Sequence, residues 1–578
     1  MTKSKLFFSL LMAGAMVGTV DAQSLKDAKA AIEAEQYDQA KTMLQSLVSK
    51  KPKNGENYFY LGQIHLINEK VDSAEYVFRQ GVENAPKEKL NEIGLGIVDL
   101  EKGNAVAAEQ KFANATSSLG RRDYLPLYYV GRAYIDSPKP DYAKAIDYLT
   151  QARAKNQKDP EILVALGDAY SGMPNEASQA YVSYRDALNM DPNLVRAHVG
   201  QAVIQRRAQA YDIAIENLLE KAEEYPNFGP IYRELAETQL LFARRLPDNT
   251  DAEKAAYEAE INKALDYYKK YLAVTGDKSI EANVRYADFL VWGQQYEELK
   301  NVALQLANAP GVDAKVFRYL GLIAVNQDGD FEKGKEYFDK LFAATPDTSR
   351  LIDLDYLFAG FANIQTGNTE QGVNYLETAL EKNPEVMPEI GSAGMLAFQQ
   401  NNFDVASAIL SVPAKQKGTD YYYEANYVLG NANFRSGVAK KERGEDPAQE
   451  FDAALKSFDV IIKSNDQEVY DEYLAGALYL TGYVNISLDN VDPSTPELCQ
   501  GLFVPAFTQL AELLNEKQLQ GKELTDAERG YLIDAHNYIG YYHITKEEYD
   551  QALVAFKNTI KVAPEDEFAN AYIEYLEM

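Results

Sequence analysis

The sequence predicts an all-α protein: an α-solenoid of about 14 stacked helix–turn–helix pairs, finished by one short C-terminal helix. Three observations predict it. A small residue recurs along the chain and is followed about 12 positions later by a second one: Gly62 by Ala74, Gly96 by Ala108, Gly360 by Gly372, Gly394 by Ala406 and Gly540 by Ala552. Four residues after the second comes a large apolar side chain, among them Phe78, Phe112, Tyr184, Phe338, Leu376 and Phe556. A proline often closes the motif, as at Pro86, Pro192, Pro226, Pro384 and Pro564. A fixed period of this length is the signature of a stacked array, in which each repeat buries its apolar face against its neighbours.

The elements follow in chain order. Residues 1–22 form a targeting segment. Lys3 and Lys5 precede an apolar stretch from Leu6 to Val20, and Val20-Asp21-Ala22 offers small residues at the −3 and −1 positions of a cleavage site. The mature chain then begins at Gln23. The apolar stretch is too short to span a bilayer comfortably. No cysteine follows the cleavage site, so the reading is an exported protein, periplasmic or envelope-associated, and not a lipoprotein.

Residues 23–228 hold repeats 1–6, residues 229–422 repeats 7–11, and residues 423–566 repeats 12–14. Repeat 1 is weak (Ala28, Ala40), as is repeat 8 (Ala287, Leu299). Spacings of 13 or 14 occur at Gly167–Ala180, Gly321–Gly334, Gly131–Ala145 and Gly200–Ala214. In each repeat the first small residue lies midway along the first helix and the second midway along its partner, where larger side chains would wedge the helices apart. Glycine inside a helix costs about 1 kcal/mol relative to alanine, so close packing must return more. The large residue fills the hole between repeats, and proline ends the second helix because it cannot continue the hydrogen-bond ladder.

Three repeats are expanded: Ala236 to Ala264, Gly430 to Ala454 and Gly482 to Ala506. The extra residues include 247–250, 440–447 and 492–496, and are expected in the turns within repeats, projecting from one edge of the array. Residues 567–578 supply a capping helix for the last apolar face.

The motif Tyr58-x₂-Leu61-Gly62-x₂-His65 with Ala74, Phe78 and Pro86 resembles the tetratricopeptide repeat. So do His536-x₂-Ile539-Gly540-x₂-His543 with Ala552, Phe556 and Pro564, and Tyr356-x₂-Ala359-Gly360 with Gly372, Leu376, Ala379 and Pro384. The resemblance, to an exported bacterial member, covers nearly the whole mature chain. It implies a right-handed superhelix whose first helices line a concave groove, and a binding scaffold rather than a catalyst.

Composition narrows the function. Of 578 residues 46% are hydrophobic and 25% charged, a globular balance that excludes wholesale disorder. The net charge of −29 argues against a nucleic-acid partner. It is uneven: residues 23–160 carry 20 basic and 19 acidic side chains, and residues 161–578 carry 36 and 67. An acidic surface favours basic partners and solubility. One cysteine, Cys499, excludes an intrachain disulfide framework and can cross-link only to another chain.

Four histidines leave little scope for metal chemistry. His65, His536 and His543 occupy aromatic slots of the motif and read as core. Asn326-Gln327-Asp328-Gly329-Asp330-Phe331-Glu332 is a poor calcium loop, its glycine coming too early. No nucleophile elbow, Walker loop, zincin or C-x-x-C motif occurs, so no enzyme, cofactor or metal is expected.

The compositional excess is aromatic, with 41 Tyr and 23 Phe against 1 Trp. Groove-facing positions of the C-terminal repeats hold Phe361, Phe398, Tyr427, Phe434, Tyr479, Tyr483 and Tyr541, with Trp292 at an equivalent place. Arg318, Asn431, Arg435 and Asn537 are polar groove neighbours. Nearer the N-terminus Leu, Ile and Gln are expected to dominate the same positions. Aromatic rings with hydroxyls and a few charges are what protein interfaces favour.

The sequence thus points to an exported scaffold binding a protein or peptide along its groove, with any membrane association made through that partner. The alternatives are an accessory subunit of an envelope nutrient-uptake or energy-transducing complex, and a small-ligand binder using the aromatic groove.

Overall fold

In the computed structural model, residues 24–247, 249–492 and 494–578 are described. The targeting segment at 1–22 lies outside them. Among the described residues every regular element is helical. Fourteen helix pairs run from Leu25–Glu33 with Tyr37–Lys50 to Asp526–Thr545 with Tyr549–Val562; one short helix, Gln467–Glu472, precedes the thirteenth pair, and Glu567–Glu577 ends the chain. The chain divides into two compact bodies, residues 1–312 with repeats 1–8 and residues 313–578 with repeats 9–14.

The recurring glycine has a sharper job than letting two helices touch. A Cβ placed on Gly62 would lie 2.2 Å from the ring of Phe78, the large residue of its own repeat. One on Gly94, in the first helix of the next repeat, would lie 2.4 Å from the same ring. Tyr184 is clasped in the same way by Gly167 and Gly200, each at 2.5 Å. The ring therefore fills a slot between successive first helices, and a side chain on either wall would expel it. At Gly360 and Gly372 the paired backbones themselves meet. There a Cβ on either would approach the other's carbonyl oxygen to 3.0 and 2.8 Å. Helix ends follow the proline rule: Val71–Asn84 stops two residues before Pro86 and Tyr549–Val562 two before Pro564.

The expanded repeats differ from expectation. In repeat 7 the second helix, Asp251–Thr275, starts 13 residues before Ala264, whereas an unexpanded second helix such as Val71–Asn84 starts 3 before Ala74. Most of that insertion is helical. In repeat 12 the first helix, Tyr421–Glu442, runs 12 residues past Gly430, and Lys441 at its end donates to the carbonyl of Ser487 at 2.6 Å. Residues 250–253 and 436–443 carry enough helix formers and caps (Thr250 with Glu253 forms a capping box) for the helix to extend instead of looping.

Repeat 13 alone keeps a long turn, and it folds back instead of projecting. Asp489 accepts from the backbone of Gln500 and Leu502 at 2.8 and 2.9 Å. This buries Cys499 to 1% exposure and removes it from reach of another chain. The packing register shifts as well: Phe507, not the residue four after Ala506, enters the slot beside Gly482 at 2.2 Å.

The C-terminal helix covers the last pair through Tyr572, whose ring stacks on Phe556 with centroids 5.0 Å apart. His536 is buried, while His543 is half-exposed and pairs with Glu548 at 2.6 Å. Asp330, in the poor calcium loop, caps the helix Phe331–Ala344 by accepting from Lys333 N.

The N-terminal body closes on itself. The backbone of Gly229, opening repeat 7, donates to the carbonyl of Ala34 in the turn of repeat 1 at 3.3 Å. Gln36 donates to the carbonyls of Asn227 at 3.1 Å and Val274 at 3.4 Å. Glu35 pairs with Arg233. Glu35 holds φ +60°, a left-handed conformation that costs a non-glycine residue energy and here turns its carboxylate toward repeat 7. Repeats 1–7 thus make one full turn, and the first helices face its centre.

Candidate binding surfaces

Two surfaces merit attention, one in each body. The first is a chamber of about 870 Å³ at the centre of repeats 1–7. Its middle is a polar network built by the first helices of repeats 4, 5 and 6 (Leu125–Asp136, Glu161–Ser171 and Val195–Arg207). Asp168 accepts from Arg196 at 3.0 Å, from the Tyr184 hydroxyl at 2.8 Å and from Arg132. Arg132 also pairs with Asp136 at 3.1 Å, and Arg196 with Glu161 at 3.2 Å. Burial opposes the charge on both arginines, yet Asp136 and Asp168 hold Arg132, and Asp168 holds Arg196, above the ordinary guanidinium value. Burial pushes up the carboxyl groups of Glu101 and Glu161.

Around this network stands a wall of tyrosines. The hydroxyls of Tyr60 and Tyr129 meet across the chamber, and Phe59 packs edge-on to Tyr129 at 4.7 Å. Tyr124 donates to Asp159 at 2.5 Å; burial and that carboxylate push its hydroxyl up to about 12. Gln63, Leu66, Ile67, Ile97 and Leu125 line the chamber at positions where Leu, Ile and Gln are expected, and most of the tyrosines stand beside them at other register positions. The groove is aromatic and charged at this end, because rings at 60 and 129 come from repeats two apart and meet only when the array curls.

The second surface is the helix face predicted in the C-terminal body. Phe361, Phe398, Tyr427, Phe434, Tyr479, Tyr483 and Tyr541 are all half-buried there, on the first helices of five successive repeats. Several of their polar atoms are used inside the fold. Tyr479 and Tyr483 both donate to Asp534 at 2.8 Å, tying repeat 13 to repeat 14, and Tyr479 stacks on Tyr531 with centroids 4.0 Å apart. Burial, and then Asp534, push the Tyr479 hydroxyl up to about 12. Tyr427 lays its hydroxyl over Gly476, where a Cβ would stand 2.4 Å away. Tyr541 donates to the carbonyl of Val491 at 3.3 Å. Phe361 touches Phe358, Phe398 touches Phe403, and Phe434 touches Phe451, each with centroids about 6 Å apart.

The polar neighbours divide. Arg318 grips the fully buried Asp355 through two bonds of 2.6 and 2.7 Å, so its charge is spent within the fold. Asn537 bonds Asp566 at 3.3 Å and accepts from Thr559 at 2.8 Å. Asn431 accepts from the exposed Arg435 at 3.1 Å, and this pair faces solvent. Trp292 belongs to the N-terminal body, where it is 38% exposed and carries the Arg244 guanidinium 5.0 Å above its ring.

Among the described residues no His, Cys, Asp and Glu side chains gather as a metal-binding set of three or more. No described helix is long and apolar enough to cross a membrane.

The family model of the tetratricopeptide repeat matches residues 25–89. No curated protein matches the chain. Among solved structures, the C-terminal part of a TPR repeat-containing protein from Cytophaga hutchinsonii is similar at 18% identity over 50% of this chain and 98% of that one, with a TM-score of 0.27. A tetratricopeptide repeat protein from Parabacteroides merdae is similar at 16% identity over 46% and 96%, with a TM-score of 0.29. A chain of the APC/C hetero-tetramer Cut9–Hcn1 is similar at 12% identity over 95% of each, with a TM-score of 0.30. None of these likenesses bears on what this chain binds.

Proposed function

We propose that this tetratricopeptide-repeat protein is an exported scaffold that holds a protein or peptide partner against the first helices of repeats 10–14, without catalysis. One observation carries the reading. Half-exposed aromatic rings stand on the first helices of five consecutive repeats, three before or one or four after each repeat's glycine, offsets that share one helix face. Rings held by their own neighbours lose little entropy on docking, which is why such anchors dominate interface energies. Phe361, Phe398 and Phe434 have no hydroxyl to satisfy, so their free faces are the contact surface. Tyr479 and Tyr483 stiffen it through Asp534. The Asn431–Arg435 pair adds a polar rim. Export rests on residues 1–22, and the acidic surface favours a partner with a basic face.

The test uses the mature protein and the partner that co-purifies with it from envelope fractions. Truncating Phe398 or Phe434 to Ala is expected to weaken that complex by about 2 kcal/mol, roughly thirtyfold. Lost stability with unchanged affinity would move the site to the inserted segments at 247–250, 440–447 or 492–496. Terminal sequencing of fractionated protein checks the export step; a cytoplasmic chain starting at Met1 would refute it.

A further inference from the structure

We infer that the chamber of repeats 1–7 is a second binding site, and that its ligand is an organic cation: an alkylammonium or guanidinium group on an aliphatic stem. The chamber's size, charge and unsatisfied groups converge on that class.

At about 870 Å³ the space falls within the range of sites that enclose a small ligand. The ring of repeats around it is closed by bonds between residues some two hundred positions apart, at Gly229, Gln36 and Glu35. Eight carboxylates line it against four cations. Three of the four cations are already paired with carboxylates. Arg132 is shared by Asp136 and Asp168, Arg196 by Glu161 and Asp168, and Arg233 by Glu35 and Glu234. Lys29 lies 4.6 Å over the ring of Tyr60.

The surplus is negative. Glu33 and Glu101 line the chamber and pair with no described cation. Glu35 keeps its second oxygen buried with no hydrogen-bond donor. A buried carboxylate oxygen without a donor is costly and calls for a missing partner. The hydroxyls of Tyr37 and Tyr128 also line the space without a hydrogen-bond partner among the described residues. Tyrosine faces attract ammonium and guanidinium groups. Ile32, Leu66 and Ile97 offer the apolar surface that an aliphatic stem needs. An anionic ligand, a nucleotide included, would meet a doubled excess of like charge.

The same cation can come free, as a polyamine, or as a lysine or arginine side chain of a peptide. Titration calorimetry on the whole mature protein separates these sources, using spermidine, trilysine and, as control, triglutamate. Binding of spermidine alone assigns the site to free polyamines. Binding of trilysine alone assigns it to a peptide side chain, and binding of both supports the shared chemistry. The variant Glu33→Gln with Glu101→Gln removes two unpaired charges, so folding should be untouched. It is expected to weaken binding about tenfold or more. The exposed pair Glu216→Gln with Glu223→Gln removes the same charge outside the chamber and should change affinity less than about twofold. Cations that bind no better than triglutamate, or a chamber variant no weaker than the outer one, would overturn the proposal.

Discussion

Arg318→Leu should cost the C-terminal body far more than an exposed groove cation could. Asp355 is 0% exposed, and apart from the backbone N–H of Ile352 at 2.9 Å its donors come from Arg318. Arg318 itself is only 17% exposed. Removing one partner of a buried pair leaves the other charge uncompensated, a loss of about 3–5 kcal/mol. Because each repeat touches only its neighbours, that loss should be read locally. Hydrogen exchange of amides in Lys315–Asn326 and Asp353–Gln365 should accelerate by about two to three orders of magnitude, while repeats 13 and 14 change little. Adding Asp355→Asn removes the stranded charge yet keeps an acceptor for Ile352, so most of the protection should return. Wild-type exchange in the single variant, or uniform loosening through repeat 14, would refute the assignment of Arg318 to structure and restore it as a free groove cation.

Two further outcomes follow from the packing. A Cβ on Gly540 would lie 2.6 Å from the Phe556 ring, so Gly540→Leu should overpack repeat 14 by about 1–3 kcal/mol; exchange should quicken there first, and a uniform response along the chain would count against nearest-neighbour stacking. Burial lowers the pKa of His536 to about 4, below the ordinary 6.5, so the unfolded chain binds the extra proton between those values. Its contribution is therefore full above about pH 6.5 and lost as pH falls toward 4, by up to about 3 kcal/mol. His536→Phe should remove that part of the acid dependence, and denaturation at pH 7 and pH 4.5 compares the two proteins.

How far the chain could be read depended on the range of the interaction. The spacing from Gly62 to Ala74 to Phe78 and Pro86 is a short-range pattern, and in repeats such as this one, without insertions, helix pair, slot ring and helix end appear where that pattern puts them. Insertions were legible as extra residues, but not as helix or loop. Whether 440–447 extends a helix depends on what it packs against, here the turn of repeat 13 at Ser487. The burial of Cys499 likewise comes from Asp489 folding its own turn back. Among groove residues, register puts Tyr479 and Tyr483 on one helix face. It could not show that Asp534, 51 and 55 positions away, takes both hydroxyls, or that Asp355 consumes Arg318.

The sequence by itself determined the repeat, the number of helix pairs and, repeat 13 apart, the side chains that fill their slots. Each of these is decided within one repeat and its neighbour, where spacing along the chain is spacing in space. Tertiary structure alone decided that repeats 1–7 complete a turn around a chamber. That outcome is the accumulated rotation of the six interfaces between seven repeats, each contributing a small angle that leaves no motif. Glu35 and Arg233, and Gln36 and Val274, are brought together only at its end, and no period in the sequence relates them.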